Sequence, residues 1–384
     1  MKARPVVQNL SLAGSLKIEL VSRLLQDKNH DVEIISQGEV VERKWRWYSS
    51  LVEAEPFAYD IPIHYASALP IRFLNGIWSS RQTLNLFKMR HRQDPFNLAI
   101  IYNLKQPQVT CAYYAIEQLG IPIVLEYEDD AFVDVGGRTE MRWLPTLGPS
   151  AWGLLQKVSG CIAASPYLLS RLPESIPKLL LRGMIGEDLI RVSEEVKAGK
   201  KNWVLFSGTH YRSKGIKQLI TAWQQLKIPE WELHITGYGE LTEQLRAMVQ
   251  GEKNIVFHGL VSRERLVQLM CSARVCINPH DTSENPGNVF AFKIIEYLAA
   301  GAHVVSTPMG VLENEIEHGI TYMGANDPHT IATTLNEVII SSSWRQVATQ
   351  YVHEAYGPGA MSTALDKFVS QTAEYHQAQR KANA

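Results

Sequence analysis

From Val204 to Thr307 short apolar runs alternate with amphipathic stretches, and this alternation constrains the fold more than any other feature of the chain. Val204–Ser207, Glu232–Thr236, Asn254–His258, Cys276–Asn278 and His303–Thr307 have strand length. Ile216–Gln225, Leu241–Val249, Ser262–Ser272 and Val289–Ala300 lie between them with apolar residues at helical spacing. Strands that alternate with helices predict βαβ units.

The stretch Ile277–Gly310 carries the most chemistry. Its strand stops at Pro279, a turn follows through Pro286, Gly287 and Asn288, and the helix closes at Gly301. A loop entering a helix presents backbone N–H groups and the positive end of the helix dipole, which suits a diphosphate. Lys293 and Glu296 are three residues apart and share a helix face with Val289 and Ala300. A carboxylate there suits the vicinal hydroxyls of a ribose, and the lysine suits phosphate. The same residues also fit a plainer role, with Asn288 an N-cap and the charges a surface pair worth about 0.2–0.5 kcal/mol.

Glu296-Tyr297-Leu298-Ala299-Ala300-Gly301, followed by Val304-Val305-Ser306-Thr307-Pro308, resembles the donor-site segment of GT-B glycosyltransferases, closest to family 4 and its relatives. The resemblance is specific from about Val204 to Gly310 and architectural elsewhere. It implies an α/β fold of two Rossmann-like, doubly wound domains facing across a cleft. It also implies two glutamates eight positions apart, the second holding the ribose of a nucleotide sugar. Glu296 matches that second position; the first falls at Asn288, beside Val289, a departure that leaves the donor sugar open.

The loop from Gly208 to Gly215 enters the next helix with Arg212 and Lys214 placed for phosphate oxygens. The resemblance implies an arginine after the first glycine and a lysine before the last. Lys214 matches the lysine, whereas Thr209 occupies the arginine position and Arg212 is the substitute. His258-Gly259-Leu260-Val261 resembles the turn against the nucleobase, which adds Gly259 and Val261 to the donor-binding set.

The N-terminal half shows the same alternation. Pro5–Leu10 reads as a strand, Ser11–Ser15 with Gly14 as a loop, and the following helix ends near Gln26; Val32–Ser36 is the next strand. By resemblance this loop faces acceptor and donor sugar, while a plain tight turn explains it equally well; His64 is a further acceptor-side candidate. Ile121–Tyr127 is an apolar strand ending in Glu128-Asp129-Asp130, where open α/β sheets place their ligands. These three acids are the candidate catalytic bases for an acceptor hydroxyl, with a helix cap or structural acid pair as the alternative. Glu42–Arg92 interleaves aromatic with basic residues, which fits an anionic membrane surface, a single-stranded nucleic-acid groove or a solvated helix face.

With 384 residues, two domains of ~150–200 are expected. The boundaries are 1–183, a polar linker 184–202, 203–350, and a C-terminal helix 351–384 that by resemblance crosses back to the first domain. A net charge of −1 provides no field to recruit nucleic acid. Cys111, Cys161, Cys271 and Cys276 form no CxxC pair, which indicates buried thiols of a reducing compartment. No apolar run approaches the ~20 residues of a membrane span, and no signal peptide is evident. The expected location is cytoplasmic, extended to a peripheral site on the inner membrane face.

The function implied is a retaining, hexosyltransferase-type glycosyl transfer from a nucleotide-diphosphate sugar to a glycan or lipid-linked hydroxyl acceptor, in cell-surface polysaccharide or glycolipid synthesis. A nucleotide-sugar epimerase and a non-catalytic nucleotide-sugar-binding protein are the alternatives. No clean Asp-x-Asp pair is present, so neither a metal nor a cofactor is expected.

Overall fold

The computed structural model describes residues 12–38, 47–53, 61–69, 71, 75–130, 132–135, 138–141, 149–196, 199–281, 291–308, 316, 319–342 and 349–382. The chain divides into two compact units, Met1–Leu181 with Ser362–Ala384, and Arg182–Met361. The expected first strand Pro5–Leu10 lies outside the described residues, as do Asn288 and Val289.

The first unit starts with helix α1 (Leu12–Gln26), and Gly14 lies in its first turn. Gly14 therefore belongs to a helix, a correction to the strand–helix loop read from its sequence. Strands β1 (Ile34–Ser36), β2 (Leu51–Glu53) and β3 (Ile63–Tyr65) form a small sheet ordered β1-β3-β2. After helix α2 (Asn75–Gln93) come β4 (Ala99–Tyr102), α3 (Gln106–Tyr114) and β5 (Ile123–Tyr127). A π-helical turn, Ala115–Leu119, extends α3 and ends at Gly120.

A short antiparallel hairpin of β6 (Phe132–Val135) and β7 (Arg138–Met141) leads to α4 (Ala151–Leu155), β8 (Gly160–Ala163), α5 (Pro166–Ser170) and β9 (Lys178–Leu180). Strands β4-β5-β8-β9 make a parallel sheet. All five residues of β5 are buried, as a strand covered on both faces requires. Ser150 and Ser165 cap α4 and α5 by accepting from Gly153 N and Leu168 N, so both helices start where their serines place them.

The second unit contains α6 (Glu187–Val196), β10 (Lys201–Ser207), α7 (Ile216–Gln225), β11 (Glu232–Thr236), α8 (Thr242–Met248), β12 (Ile255–Gly259) and α9 (Arg263–Ser272). It continues through β13 (Ala273–Asn278), α10 (Lys293–Ala299), β14 (His303–Ser306), β15 (Ile320–Tyr322), α11 (Pro328–Ile340) and α12 (Thr349–Tyr356). Its six strands form one parallel sheet, ordered β12-β11-β10-β13-β14-β15. The core packs Phe206, Leu219, Trp223, Leu233, Val275 and Ile277, most with no exposed surface.

The polar stretch 184–202, read as a linker, carries α6. Charges dominate its composition, but Leu189 and Ser193 lie one turn apart and are buried. The second unit also runs to Met361, past the expected boundary at 350.

The last helix, α13 (Pro358–Ala382), belongs from Ser362 onward to the first unit. Gly160 of β8 lets it approach, since a Cβ there would lie 2.6 Å from Thr372 Oγ1 and 3.0 Å from the Phe368 ring. His376 fixes the register, with Nδ1 3.1 Å from Ser159 Oγ and Nε2 2.9 Å from the Gly120 carbonyl oxygen.

Candidate functional site

The sheet order places a topological switch point in the second unit. From β10 the chain winds one way through β11 and β12, then returns to put β13 on the other side of β10. Ligands of open α/β sheets bind beyond the C-terminal strand ends at such a point. Here those ends carry the loop 208–215 after β10 and Pro279–Asp281 after β13.

The two loops are in intimate contact. Asp281 N donates to Ser213 O at 2.8 Å. Gly215, at φ 67°, leads into α7, and a Cβ on it would fall on the carbonyl oxygen of Pro279. Strain and clash act together at this position, so Gly215→Ala should destabilise the second unit by at least about 2 kcal/mol. Thermal unfolding of the variant tests this, with a wild-type midpoint as the contrary result. His210, which is fully buried, anchors the same loop through Nδ1, 2.9 Å from Thr242 Oγ1.

Two lysine amino groups converge here. Lys214 ends a single 3-10 turn, Arg212–Lys214, and its Nζ is 2.9 Å from His280 Nε2. His280 Nδ1 faces the Asp281 carbonyl oxygen at 2.8 Å. A carbonyl only accepts, so Nδ1 carries the proton and Nε2 keeps its lone pair for Lys214. Burial, and then Lys214, hold the His280 pKa down to about 4, so the ring is neutral at pH 7. Lys293, the first residue of α10, donates from Nζ to the Ser207 carbonyl oxygen at 2.6 Å, with the Phe206 ring 4.9 Å away. Burial of the ammonium, and then its neighbour Lys214, push its pKa down to about 7.

Glu296 pairs with Arg263, not with Lys293, so the surface pair read from the sequence is not formed. Arg263 also reaches Asp188 of α6 at 3.0 Å. Burial raises the Glu296 pKa and the Arg263 guanidinium opposes that rise. Tyr297 pins the end of β10, its hydroxyl accepting from Ser207 N at 3.0 Å and lying 2.8 Å from Ser207 Oγ.

The remaining donor-side candidates surround the same edge. Gly208 has φ 152°, Arg212 is exposed, and Val261 is half-buried. Gly259 ends β12, and its carbonyl oxygen accepts from Gly237 N at 2.8 Å.

In the first unit the acids after β5 separate by environment. Asn103, at φ 57°, accepts the backbone N–H of Glu128 at 2.8 Å and of Asp129 at 3.1 Å, and so shapes their turn. Asp130 is buried among structural partners: the Tyr127 hydroxyl at 2.7 Å, Phe132 N at 3.0 Å and Arg171 Nη2 at 3.2 Å. With both oxygens engaged, Asp130 is a cap and an ion-pair partner, which corrects its reading as a base. Asp129 is exposed, and Glu128 is half-buried against Lys17 of α1. Burial raises the Glu128 pKa against the opposing pull of Lys17.

Glu126, which sequence reasoning missed, is buried within β5, and burial lifts its pKa to about 7. His64 is buried on β3, 3.4 Å from Glu33. Burial lowers its pKa more than Glu33 raises it.

Residues 201–340 match the family model described as glycosyl transferases group 1. No curated protein matches the chain. Sucrose-phosphate synthase from Thermosynechococcus elongatus superposes with TM-score 0.68 at 16% identity, over 93% of this chain and 92% of that one. The chain has the GT-B glycosyltransferase fold. Anabaena HepE in complex with UDP and glucose is similar with TM-score 0.62 at 16% identity, over 93% of this chain and 95% of that one. The catalytic domain of starch synthase IV from Arabidopsis thaliana, bound to ADP and acarbose, gives 0.62 at 9% identity, over 97% and 98%. The family match covers every strand of the GT-B sheet in the second unit, including both loops of the switch point.

Proposed function

We propose that this protein transfers a glycosyl group from a nucleoside-diphosphate sugar to a hydroxyl acceptor. One observation carries the reading: Lys214 and Lys293 bring two amino groups to the switch point, beside the start of α7, which has no side-chain cap. Lysine side chains held at that place, charged once the ligand is bound, suit the charge that develops on a departing diphosphate. UDP or ADP is bound in HepE and in the starch synthase, which supports the same ligand class here. Glu296, oriented by its ion pair with Arg263, would accept from the ribose hydroxyls. Glu128 would take the acceptor proton, and the anomeric configuration would be retained, as the resemblance to family 4 implies. Incubation with UDP- and ADP-sugars, with and without saccharide acceptors, tests the reading. Nucleotide release that depends on acceptor is expected; release without acceptor would mean hydrolysis or epimerisation, and none from any donor would leave binding alone.

The acceptor class in this proposal is a glycan or a lipid-linked sugar. Of the aromatic–basic stretch, Arg43, Lys44, Trp45, Arg46, Arg72 and Phe73 lie outside the described residues. Helix α2 presents Ile77, Arg81, Asn85, Lys88 and Arg92 along one stripe, with Ile77 and Met89 exposed. Lys88 lies 4.3 Å over the Tyr114 ring and Arg90 pairs with Glu33, so Arg81 and Arg92 are the outward charges. Each would add about 1 kcal/mol beside an anionic bilayer. Co-sedimentation at low salt should favour anionic over neutral liposomes, and Arg81→Glu with Arg92→Glu should abolish the preference. Equal recovery with both lipids would show a face that is only solvated.

A further inference from the structure

We propose that the site takes up a proton when it binds a nucleoside diphosphate, and that the proton is held on Nζ of Lys293. The inference rests on the diphosphate reading above. An ammonium ion has three protons to place, and a buried one is costly unless it is paired. Among the described residues Lys293 has one hydrogen-bond acceptor, the Ser207 carbonyl oxygen at 2.6 Å, and a ring face at 4.9 Å. Among the described residues no carboxylate lies within ion-pair distance of it.

Among the described residues no charged group pairs with Lys293, and Glu296 acts on it more weakly than burial and Lys214 do. Glu296, on its own helix, is committed to Arg263 of α9. Lys214, from the loop after β10, is a second cation. His280, beyond β13, is fixed neutral with its ring proton on the Asp281 carbonyl and its lone pair on Lys214. The free site therefore favours the neutral amine on Lys293, in accord with its pKa of about 7. A diphosphate beside Lys214 and Lys293 supplies the missing negative charge, and the amine takes a proton from solvent. No bond to phosphorus forms or breaks in this step.

Calorimetry with UDP at pH 8 tests the inference, because the terminal phosphate has already lost its last proton near pH 6. The observed enthalpy in Tris and in HEPES should differ by the difference in buffer ionisation enthalpy multiplied by an uptake approaching one proton. Correspondingly, UDP affinity should tighten by up to about tenfold per unit as pH falls from 9 toward 7, the limit for one linked proton. Lys293→Met, which cannot protonate, and Lys293→Arg, which stays charged, should each remove the buffer dependence. A buffer-independent enthalpy in the wild type would overturn the inference. So would an uptake that persists in either variant. Lys214→Ala separates the two levels: if it weakens UDP binding while the wild type shows no uptake, only the proton step fails. If Lys214→Ala leaves UDP affinity unchanged, the diphosphate site itself fails.

Discussion

Lys214→Ala is expected to weaken UDP binding about 10- to 150-fold, because a charge-assisted contact of ~1.5–3 kcal/mol is lost. The magnitude follows from how little freedom the ammonium has. His280 accepts from it at 2.9 Å, and His280 is itself oriented by a 2.8 Å bond to the chain, so the charge is aimed before any ligand arrives. Glu296→Ala should cost a similar factor, since it removes the proposed ribose contact and one of the two carboxylates that Arg263 pairs with among the described residues. Titration of both variants with UDP is the measurement. Wild-type affinity in both would move the donor site elsewhere.

Glu128→Gln is expected to cut turnover roughly 10²-fold or more while UDP affinity stays unchanged, the pattern for a general base whose bond strengthens in the transition state. Asp130 should behave in the opposite way. Its oxygens hold Arg171 at 3.2 Å and the Tyr127 hydroxyl at 2.7 Å inside the unit. Asp130→Ala takes the buried carboxylate from the half-buried Arg171 and from the Tyr127 hydroxyl and should cost about 1–3 kcal/mol of stability. Turnover and thermal melting of the two variants, side by side, decide the assignment. A stable Asp130→Ala enzyme with lost turnover, or a Glu128→Gln enzyme with full turnover, would reverse the roles.

The sequence was a good guide wherever the fold depends on neighbours along the chain. Helix Ile216–Gln225 and strand Glu232–Thr236 stand where periodicity puts them, because apolar spacing within ten residues decides both. The family resemblance of the segment from Val204 to Gly310 is borne out by the match over 201–340. Helix α6 was hidden because its charges outnumber the few buried residues that dock it. The hairpin β6–β7 was missed as well, because short strands give weak periodicity.

The partners of the site residues were out of reach for a different reason. His280 meets Lys214 across 66 positions, Arg171 meets Asp130 across 41, and Arg263 meets Glu296 across 33. Nothing local in a histidine or arginine announces which distant charge it will serve. Only the strand order, with β13 folded back beside β10, brings the first of these pairs together.

The central claim is that the second unit recognises the diphosphate through the two lysines at its switch point. Calorimetry with uridine, UMP and UDP on the wild-type protein and on the Lys214→Ala, Lys293→Met double variant tests it most directly. Affinity should rise steeply from uridine to UDP in the wild type, and that rise should collapse in the double variant. A rise of the same size in both proteins, or equal affinity for uridine and UDP, would contradict it.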